Sequence, residues 1–145
     1  MTSKSADPWR GGSHVVFRLH AHVVLVTKYR RKVISERVAE ELGAAFAEVC
    51  ERSGLVIEAF ETEGDHAHLL ISYPPKIALS QIVMLLKANG ARRVRAHGWP
   101  EVRQLLRGSH FWSPSYAVVS CGGAPLEIVK RYVEQQRRPG RKQAR

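Results

Sequence analysis

The order of strand-like and helix-like segments predicts an α+β chain with the ferredoxin-like (RRM-like) fold. Four segments carry the apolar patterns of β-strands, two carry apolar residues at helical spacing, and turn residues separate them. The resulting order, β-α-β-β-α-β, is the split βαβ arrangement. Such a chain forms one antiparallel sheet with both helices on one face. A further C-terminal helix follows the last strand.

The first predicted strand covers residues 14–27. One of its faces carries the alternate positions Phe17, Leu19, Ala21, Val23 and Leu25. The other face begins with polar residues and becomes apolar at Val24 and Val26. Apolar residues on both faces indicate a strand in the centre of the sheet.

The first predicted helix begins after Ser35 and ends near Arg52. Ser35 supplies a side chain suited to an N-cap, and Gly54 provides the helix stop. Its buried stripe is formed by Val38, Leu42, Ala45, Phe46 and Val49.

The second half of the chain repeats the strand and helix patterns. Strands at residues 55–62 and 66–72 flank a turn at Gly64-Asp65. Ser80 is expected to cap the second helix, which ends before Gly98-Trp99-Pro100. A short helical stretch at 101–108 precedes the fourth strand at 111–120. After the Gly122-Gly123 joint, a third helix is expected to run from about Pro125 to Gln136.

The domain organisation follows from these elements. Residues 1–13 are expected to form a disordered leader, residues 14–136 a single domain, and residues 137–145 a flexible basic tail. No apolar run approaches the roughly 20 residues needed to span a bilayer, and no secretory signal is visible. We therefore expect a cytoplasmic protein without a membrane partner, in which Cys50 and Cys121 are reduced thiols.

The charge of the chain indicates a polyanionic partner. It carries 23 Lys and Arg against 13 Asp and Glu, a formal net charge of +10 in 145 residues. Such a field favours nucleic acid, because neutralised phosphates release counterions. Charge alone does not distinguish DNA from RNA, or a binding protein from an enzyme.

Two His-x-His pairs could each hold a metal ion. In a strand, residues i and i+2 share a face, so His66 and His68 can reach one metal while Ala67 points the other way. His20 and His22 form a second pair of the same kind. Seven histidines occur in the chain, so the local pattern leaves open which pair, if either, binds a metal. Tyr132 by itself is typical of an aromatic at the edge of a core.

Five short motifs follow one another along the chain. They are residues 22–26 leading into Thr27-Lys28-Tyr29-Arg30-Arg31, then Asp65-His66-Ala67-His68-Leu69-Leu70, then Leu86-Lys87-Ala88 followed by Ala91-Arg92-Arg93, then Trp112-Ser113-Pro114-Ser115-Tyr116, and finally Arg131-Tyr132-Val133-Glu134-Gln135-Gln136. Together they resemble the TnpA-type HUH transposases, the single-tyrosine enzymes of small bacterial insertion sequences with hairpin ends. The resemblance covers residues 14–136.

The resemblance implies roles for particular residues. Tyr132 matches the family's nucleophile, and His66, His68 and Gln136 match its ligands for a divalent metal, Mg²⁺ or Mn²⁺. Asp65 is expected to support these ligands. His20 inherits no role, and His22 matches a position that is commonly histidine in relatives but is given no ligand role. No nucleotide cofactor is expected.

The resemblance also implies the substrate and the assembly. The chain is expected to bind hairpins in single-stranded DNA at insertion-sequence ends, and to cleave and rejoin strands through a 5′-phosphotyrosine intermediate. It is expected to act as a homodimer with active sites shared between subunits. The DNA contacts are expected to include Lys28, Arg30, Arg31, Lys87, Arg92, Arg93, Lys130 and Arg131.

Three other functions remain open at this point. One is a domesticated relative that binds repeated hairpins without moving an element of its own. Another is a non-catalytic ferredoxin-like module that binds nucleic acid, although the strands lack the paired surface aromatics that such sheets use for stacking. A third is a replication-initiator nuclease, whose usual additional domains this chain has no room for.

Overall fold

The structure, a computed structural model, describes residues 9–12 and 14–120. The predicted third helix, with Lys130, Arg131, Tyr132 and Gln136, lies outside the described residues, as do the basic tail and Cys121.

Four long strands form one antiparallel sheet. In chain order the elements are β1 (Arg10–Gly12), β2 (Val15–Phe17), β3 (His20–Thr27), α1 (Glu36–Ser53), β4 (Val56–Glu63), β5 (His66–Ser72), α2 (Leu79–Arg95), α3 (Pro100–Leu106) and β6 (Trp112–Ser120). The sheet order is β4-β5-β3-β6, with every neighbouring pair antiparallel. The predicted α+β, ferredoxin-like sheet is confirmed, with β3 in its interior. None of the helices among the described residues is long and apolar enough to cross a bilayer.

The core lies between one face of the sheet and helices α1 and α2. Ala21, Val23 and Leu25 of β3 are completely buried in it, together with Ala67, Leu69 and Ile71 of β5. The helices contribute the predicted stripe of α1 and the α2 residues Ile82, Val83, Leu86 and Val94. The alternate residues of β3 and β5, which include four histidines, therefore lie on the face opposite the helices.

The prediction of one long strand over residues 14–27 is wrong. Residues Val15–Phe17 instead pair with Arg10–Gly12 in a separate two-stranded sheet, and only His20–Thr27 joins the main sheet. The left-handed backbone of His14, with φ of 65°, turns the chain back on itself. The described part of the predicted leader therefore contains a strand. Its Arg10 guanidinium donates hydrogen bonds to Ser72 Oγ and to the Gly54 carbonyl.

The predicted ends of α1 are confirmed, whereas the start of α2 is not. Ser35 Oγ accepts a hydrogen bond from the Val38 amide, and Gly54 closes the helix in a left-handed conformation with φ of 72°. Helix α2 starts at Leu79, so Ser80 lies inside its first turn rather than at its cap. The earlier start packs Leu79 against the core, and this tertiary contact outweighs the capping preference of serine.

Candidate active site

His66 and His68 share the sheet face opposite the helices. Strand β5 is buried along its whole length, and Ala67 lies in the core between the helices and the sheet. His66 is 1% exposed and His68 is 2% exposed, with their ring centroids 4.7 Å apart at an interplanar angle of 79°. The one-face geometry expected from the spacing is present. Two imidazoles are thus held side by side in a setting that gives them little contact with water.

Asp65 fixes the orientation of His66. Its Oδ1 lies 2.6 Å from His66 Nδ1, and its Oδ2 lies 3.3 Å from Arg30 Nε. Burial opposes ionisation of Asp65, yet the hydrogen bond with His66 and the nearby Arg30 guanidinium hold the pKa of this carboxyl below its ordinary value. An ionised carboxylate only accepts hydrogen bonds, so Nδ1 of His66 donates. Nε2 is then the ring nitrogen left to bind a metal, as in carboxylate–histidine–metal arrangements.

His22 contacts the other member of the pair. Its Nε2 lies 3.3 Å from His68 Nδ1, and the two rings stack with centroids 5.5 Å apart and an interplanar angle of 19°. Burial lowers the pKa of His22 to about 4, so the ring is neutral near pH 7. Because this contact engages Nδ1 of His68, a metal bond to His68 has to use Nε2.

The sequence did not reveal the contact between His22 and His68. Both residues were expected on strands, and the alternation of each strand predicted which face they occupy. The register between the two strands could not be predicted from the sequence. In the structure this register places Val24 opposite His68 and His22 diagonally beside His68. The only sequence signal that could have suggested this contact is the presence of a histidine, His22, on the polar face of the other predicted central strand.

The buried nitrogens fit a metal ion. Nε2 of His66 is buried without a hydrogen-bond partner among the described residues, and an unpaired buried nitrogen is costly unless something binds it. Imidazole is a good ligand for transition metals such as Zn²⁺ and Ni²⁺, whereas oxygen ligands suit Mg²⁺ and Mn²⁺, so either of the expected metals would need oxygen ligands beside the two histidines. Within residues 9–12 and 14–120, no group of three or more His, Cys, Asp and Glu side chains could hold a metal. Gln136, the expected third ligand, lies outside this part of the chain.

Of the other His-x-His pair, His20 and His22, only His22 lies at the site. His20 lies opposite Ser72, at the far end of β5 from His66. Six residues of strand separate these positions, about 20 Å at roughly 3.3 Å per residue. Burial and the charges of Arg18 and Arg10 lower the pKa of His20, with Glu58 opposing them. His20 therefore belongs to an ionic cluster at the other end of the sheet.

The first predicted basic group lies next to the histidines. Arg30 pairs with Asp65, and the Thr27 amide donates to the Asp65 carbonyl at 3.0 Å. Lys28 Nζ and Arg31 Cζ lie 5.1 and 5.5 Å from the centroid of the Tyr29 ring. The turn after β3 therefore presents three cations and one aromatic beside His66.

Lys87 lines a cleft between α2 and β6. The cleft has a volume of about 460 Å³ and is shared with Lys28. Lys87 Nζ donates to the Ser113 carbonyl at 2.8 Å and lies 5.6 Å from the centroid of Tyr116, and burial lowers the pKa of Lys87. The DNA contact predicted for Lys87 stays a prediction.

Arg92 and Arg93 lie in the helical layer, away from the histidine face. Arg93 forms ion pairs with Glu41 at 2.9 Å and Glu48 at 3.2 Å, and Arg92 donates to Asn89. These contacts join α2 to α1 or stay within α2. The structure therefore does not bring these two predicted DNA contacts together with Lys28, Arg30 and Arg31.

Comparison with known proteins identifies the family. Residues 15–136 match the family model described as "Transposase IS200 like". The ISDra2 transposase TnpA of Deinococcus radiodurans is 30% identical over 125 residues, which cover 86% of this chain and 89% of the relative. The transposase for insertion sequence element IS200 of Salmonella typhimurium is 25% identical over 124 residues, covering 86% of this chain and 80% of the relative.

Solved structures agree with the fold. A candidate transposase from Deinococcus radiodurans superposes with a TM-score of 0.70 at 30% identity, covering 88% of this chain and 97% of that one. A REP-associated tyrosine transposase, solved with a REP hairpin, superposes with a TM-score of 0.58 at 13% identity, covering 86% and 67%. The second match shows the fold alone. On the family match and the 30% identical relative, the chain belongs to the IS200-like transposases, a family of enzymes that cut DNA and transfer its strands.

Proposed function

We propose that this transposase binds hairpins in single-stranded DNA at insertion-sequence ends and cleaves and rejoins strands through a 5′-phosphotyrosine at Tyr132. The observation that carries the proposal is the pair His66 and His68. They lie side by side on one face of a buried strand, with Nδ1 of His66 held 2.6 Å from a carboxylate oxygen of Asp65. A buried pair with a fixed tautomer is the arrangement that a metal-assisted phosphoryl transfer requires.

We assign the metal ligands to His66, His68 and Gln136. A bound Mg²⁺ or Mn²⁺ would act as a Lewis acid on the phosphate oxygens. Asp65 keeps the proton on His66 Nδ1 and leaves Nε2 available as a ligand. Arg30 stabilises the ionised Asp65 in turn, and its own position gives the site a positive charge near the attacked phosphate.

The reaction needs no external energy source. The Tyr132 hydroxyl, after losing its proton, attacks phosphorus and forms a P–O bond. The bond from phosphorus to the 3′ oxygen breaks, and that oxygen takes up a proton as the free 3′-hydroxyl. A 3′-hydroxyl from another strand later attacks the phosphotyrosine and releases the Tyr132 phenol. One phosphodiester is consumed and one is formed, so no nucleotide cofactor is needed.

The proposed substrate is supported by charge and location. The formal charge of +10 favours polyanions, and Lys28, Arg30 and Arg31 lie beside the histidines. The REP-associated transposase is described as bound to a REP hairpin, and hairpin binding is proposed for this chain by analogy of fold.

We propose further that the chain acts as a homodimer whose active sites are shared between subunits. A mixed dimer of a His66→Ala subunit and a Tyr132→Phe subunit tests this assembly. If sites are shared, one of the two sites has an intact histidine pair and an intact tyrosine, and cleavage partly returns. Equal inactivity of the mixed and parental dimers would contradict sharing.

One experiment separates an enzyme from a hairpin-binding protein. The full chain is incubated with single-stranded hairpin DNA and Mg²⁺ or Mn²⁺, and covalent adducts are resolved on a denaturing gel. The expected result is an adduct with the wild type that is absent with Tyr132→Phe and strongly reduced with His66→Ala. Tyr73→Phe, a tyrosine change directly after β5 at the end far from His66, is the matched control and retains the adduct.

The alternatives predict different gels. A domesticated or non-catalytic binding protein would retain the hairpin on a native gel and form no adduct with any metal. An adduct of equal yield in Tyr132→Phe would refute the assignment of the nucleophile.

A further inference from the structure

We propose that Tyr29 is a stacking platform for an unpaired base of the DNA strand next to the cleaved phosphate, with Lys28 and Arg31 holding the adjoining phosphates. This inference rests on the proposed function. It adds a DNA-binding residue that the proposed chemistry of the histidines does not include.

The first argument is the backbone of the turn. Tyr29 has φ of 56° and ψ of 20°, and Arg30 follows with φ of 53°, so two consecutive non-glycine residues are left-handed. This conformation is unfavourable for a residue with a bulky side chain. Such strain persists where the surrounding structure enforces it, and it concentrates at functional sites.

The second argument is that the turn is rigid. The Lys28 amide donates to the Phe111 carbonyl at 2.9 Å, and the Arg31 amide donates to the Lys28 carbonyl at 3.2 Å. Thr27 Oγ1 donates to the Arg31 carbonyl at 2.7 Å. The turn is therefore tied to the start of β6 and closed on itself. These hydrogen bonds therefore fix the place from which the Tyr29 side chain extends.

The third argument is what the turn presents. The Tyr29 side chain is 67% exposed, so the strained conformation adds nothing to the core. Its ring is accompanied by Lys28 Nζ at 5.1 Å and Arg31 Cζ at 5.5 Å. An aromatic ring for a base and flexible cations for phosphates are the two elements of single-strand binding. If the turn served only to form cation–π contacts on the surface, each contact would contribute about 0.5–1 kcal/mol to stability. Such contacts would not require a tyrosine in the left-handed conformation.

The fourth argument is location. Arg30, the next residue, pairs with Asp65 at 3.3 Å, and Asp65 contacts His66 at 2.6 Å. Tyr29 also borders a cleft of about 280 Å³ formed with Thr27, Arg30 and Pro114, close to the roughly 300 Å³ at which small-molecule clefts begin. A strand whose phosphate sits at the histidines therefore has an adjoining base within reach of the Tyr29 ring.

A comparison residue is available in the same chain. Trp9 is 53% exposed and carries Arg18 Cζ 5.0 Å from its ring centroid. It precedes β1, whose Arg10 contacts Ser72 at the end of β5 far from His66. Trp9→Ala thus removes an exposed aromatic with its own cation, but away from the proposed strand path.

The test measures binding and stacking without cleavage. The full chain in EDTA is titrated into a DNA hairpin with a single-stranded thymidylate flank that carries one 2-aminopurine, placed at each flank position in turn. With the wild type, fluorescence is quenched at one or two adjacent positions. Tyr29→Ala and Tyr29→Leu lose that quenching and bind roughly 5- to 150-fold more weakly, which corresponds to about 1–3 kcal/mol for one stacked base. Tyr29→Phe and Trp9→Ala stay within about twofold of the wild type.

An abasic site at the quenched position separates stacking from a general effect on the turn. The wild type should lose affinity for the abasic strand, whereas Tyr29→Ala should bind both strands equally. If Tyr29→Leu retained the quenching, or if Trp9→Ala lost as much affinity as Tyr29→Ala, the inference would be wrong while hairpin cleavage could still hold. If the wild type bound neither the hairpin nor its single-stranded flank, the proposed function and the inference would both fail.

Discussion

Replacement of Asp65 by asparagine separates the orientation of the histidine from the rest of the fold. Asparagine keeps the shape of the side chain and can still accept a hydrogen bond from His66 Nδ1. It loses the negative charge that strengthens the 2.6 Å contact and the ion pair with Arg30. Loss of a partner that orients a ligating histidine typically costs 10- to 100-fold in metal affinity, or about 1.4–2.7 kcal/mol.

The effect on the metal-free fold should be smaller. A hydrogen bond to a charged group contributes about 1.5–3 kcal/mol and a neutral one about 0.5–1.5 kcal/mol. The half-exposed Arg30 pair adds little after solvent screening, and removal of a buried charge offsets part of the loss. We therefore expect Asp65→Asn to lower the free energy of unfolding by about 1 kcal/mol without metal.

Urea unfolding with and without Mn²⁺ measures both effects. At a Mn²⁺ concentration about 100 times the wild-type Kd, bound metal stabilises the wild type by about 2.7 kcal/mol. A 10- to 100-fold weaker site leaves about 1.4 to 0.4 kcal/mol in Asp65→Asn by the same relation. His66→Ala should lose the stabilisation by Mn²⁺. Glu58→Gln, which neutralises a carboxylate on β4 away from His66, should keep this stabilisation. If Mn²⁺ stabilised Asp65→Asn as much as the wild type, the orienting role of Asp65 would be refuted. If it stabilised His66→Ala as much as the wild type, the metal site itself would be refuted.

Three further predictions concern the rest of the fold. Gly90→Ala should lower the free energy of unfolding, measured in urea, by about 1 kcal/mol. A Cβ there lies 3.0 Å from Leu42 Cδ2, and an overpacking cost of about 1–3 kcal/mol exceeds the helix-propensity gain of about 1 kcal/mol. A stabilised variant would show that the side chains of Leu42 and Phe46 shift at little cost. Hydrogen bonds from Arg37 lower the pKa of Glu101 from 4.5 to about 2, so the stability that this carboxylate adds is present above pH 4.5 and is lost as the pH falls toward 2. The Tm difference between wild type and Glu101→Gln should therefore shrink over that window, and a constant difference would contradict the ion pair. Burial raises the pKa of Cys50 to about 11. In a Cys121→Ser variant, thiol reagents should therefore react with Cys50 only when the protein is unfolded. Rapid labelling of the native protein would contradict this.

The local features of the fold were predictable because each depends on residues close together in the chain. Ser35 caps α1 and Gly54 ends it as expected, since both act on the nearest backbone groups. The start of α2 was predicted two residues too late, because packing of Leu79 against the core decided it. The first strand was predicted too long, because the left-handed turn at His14 and the contacts of Arg10 lie outside the strand pattern.

The sequence by itself determined the element order, the basic charge and the shared face of His66 and His68, which follow from periodicity and composition. It also carried the family motifs. Only the tertiary structure decided that His22 contacts His68, that Arg30 pairs with Asp65, and that His20 lies about 20 Å away from His66. Each of these depends on the register between strands distant in the chain. Register is set by the packing of the whole sheet against its helices, and no local pattern encodes it.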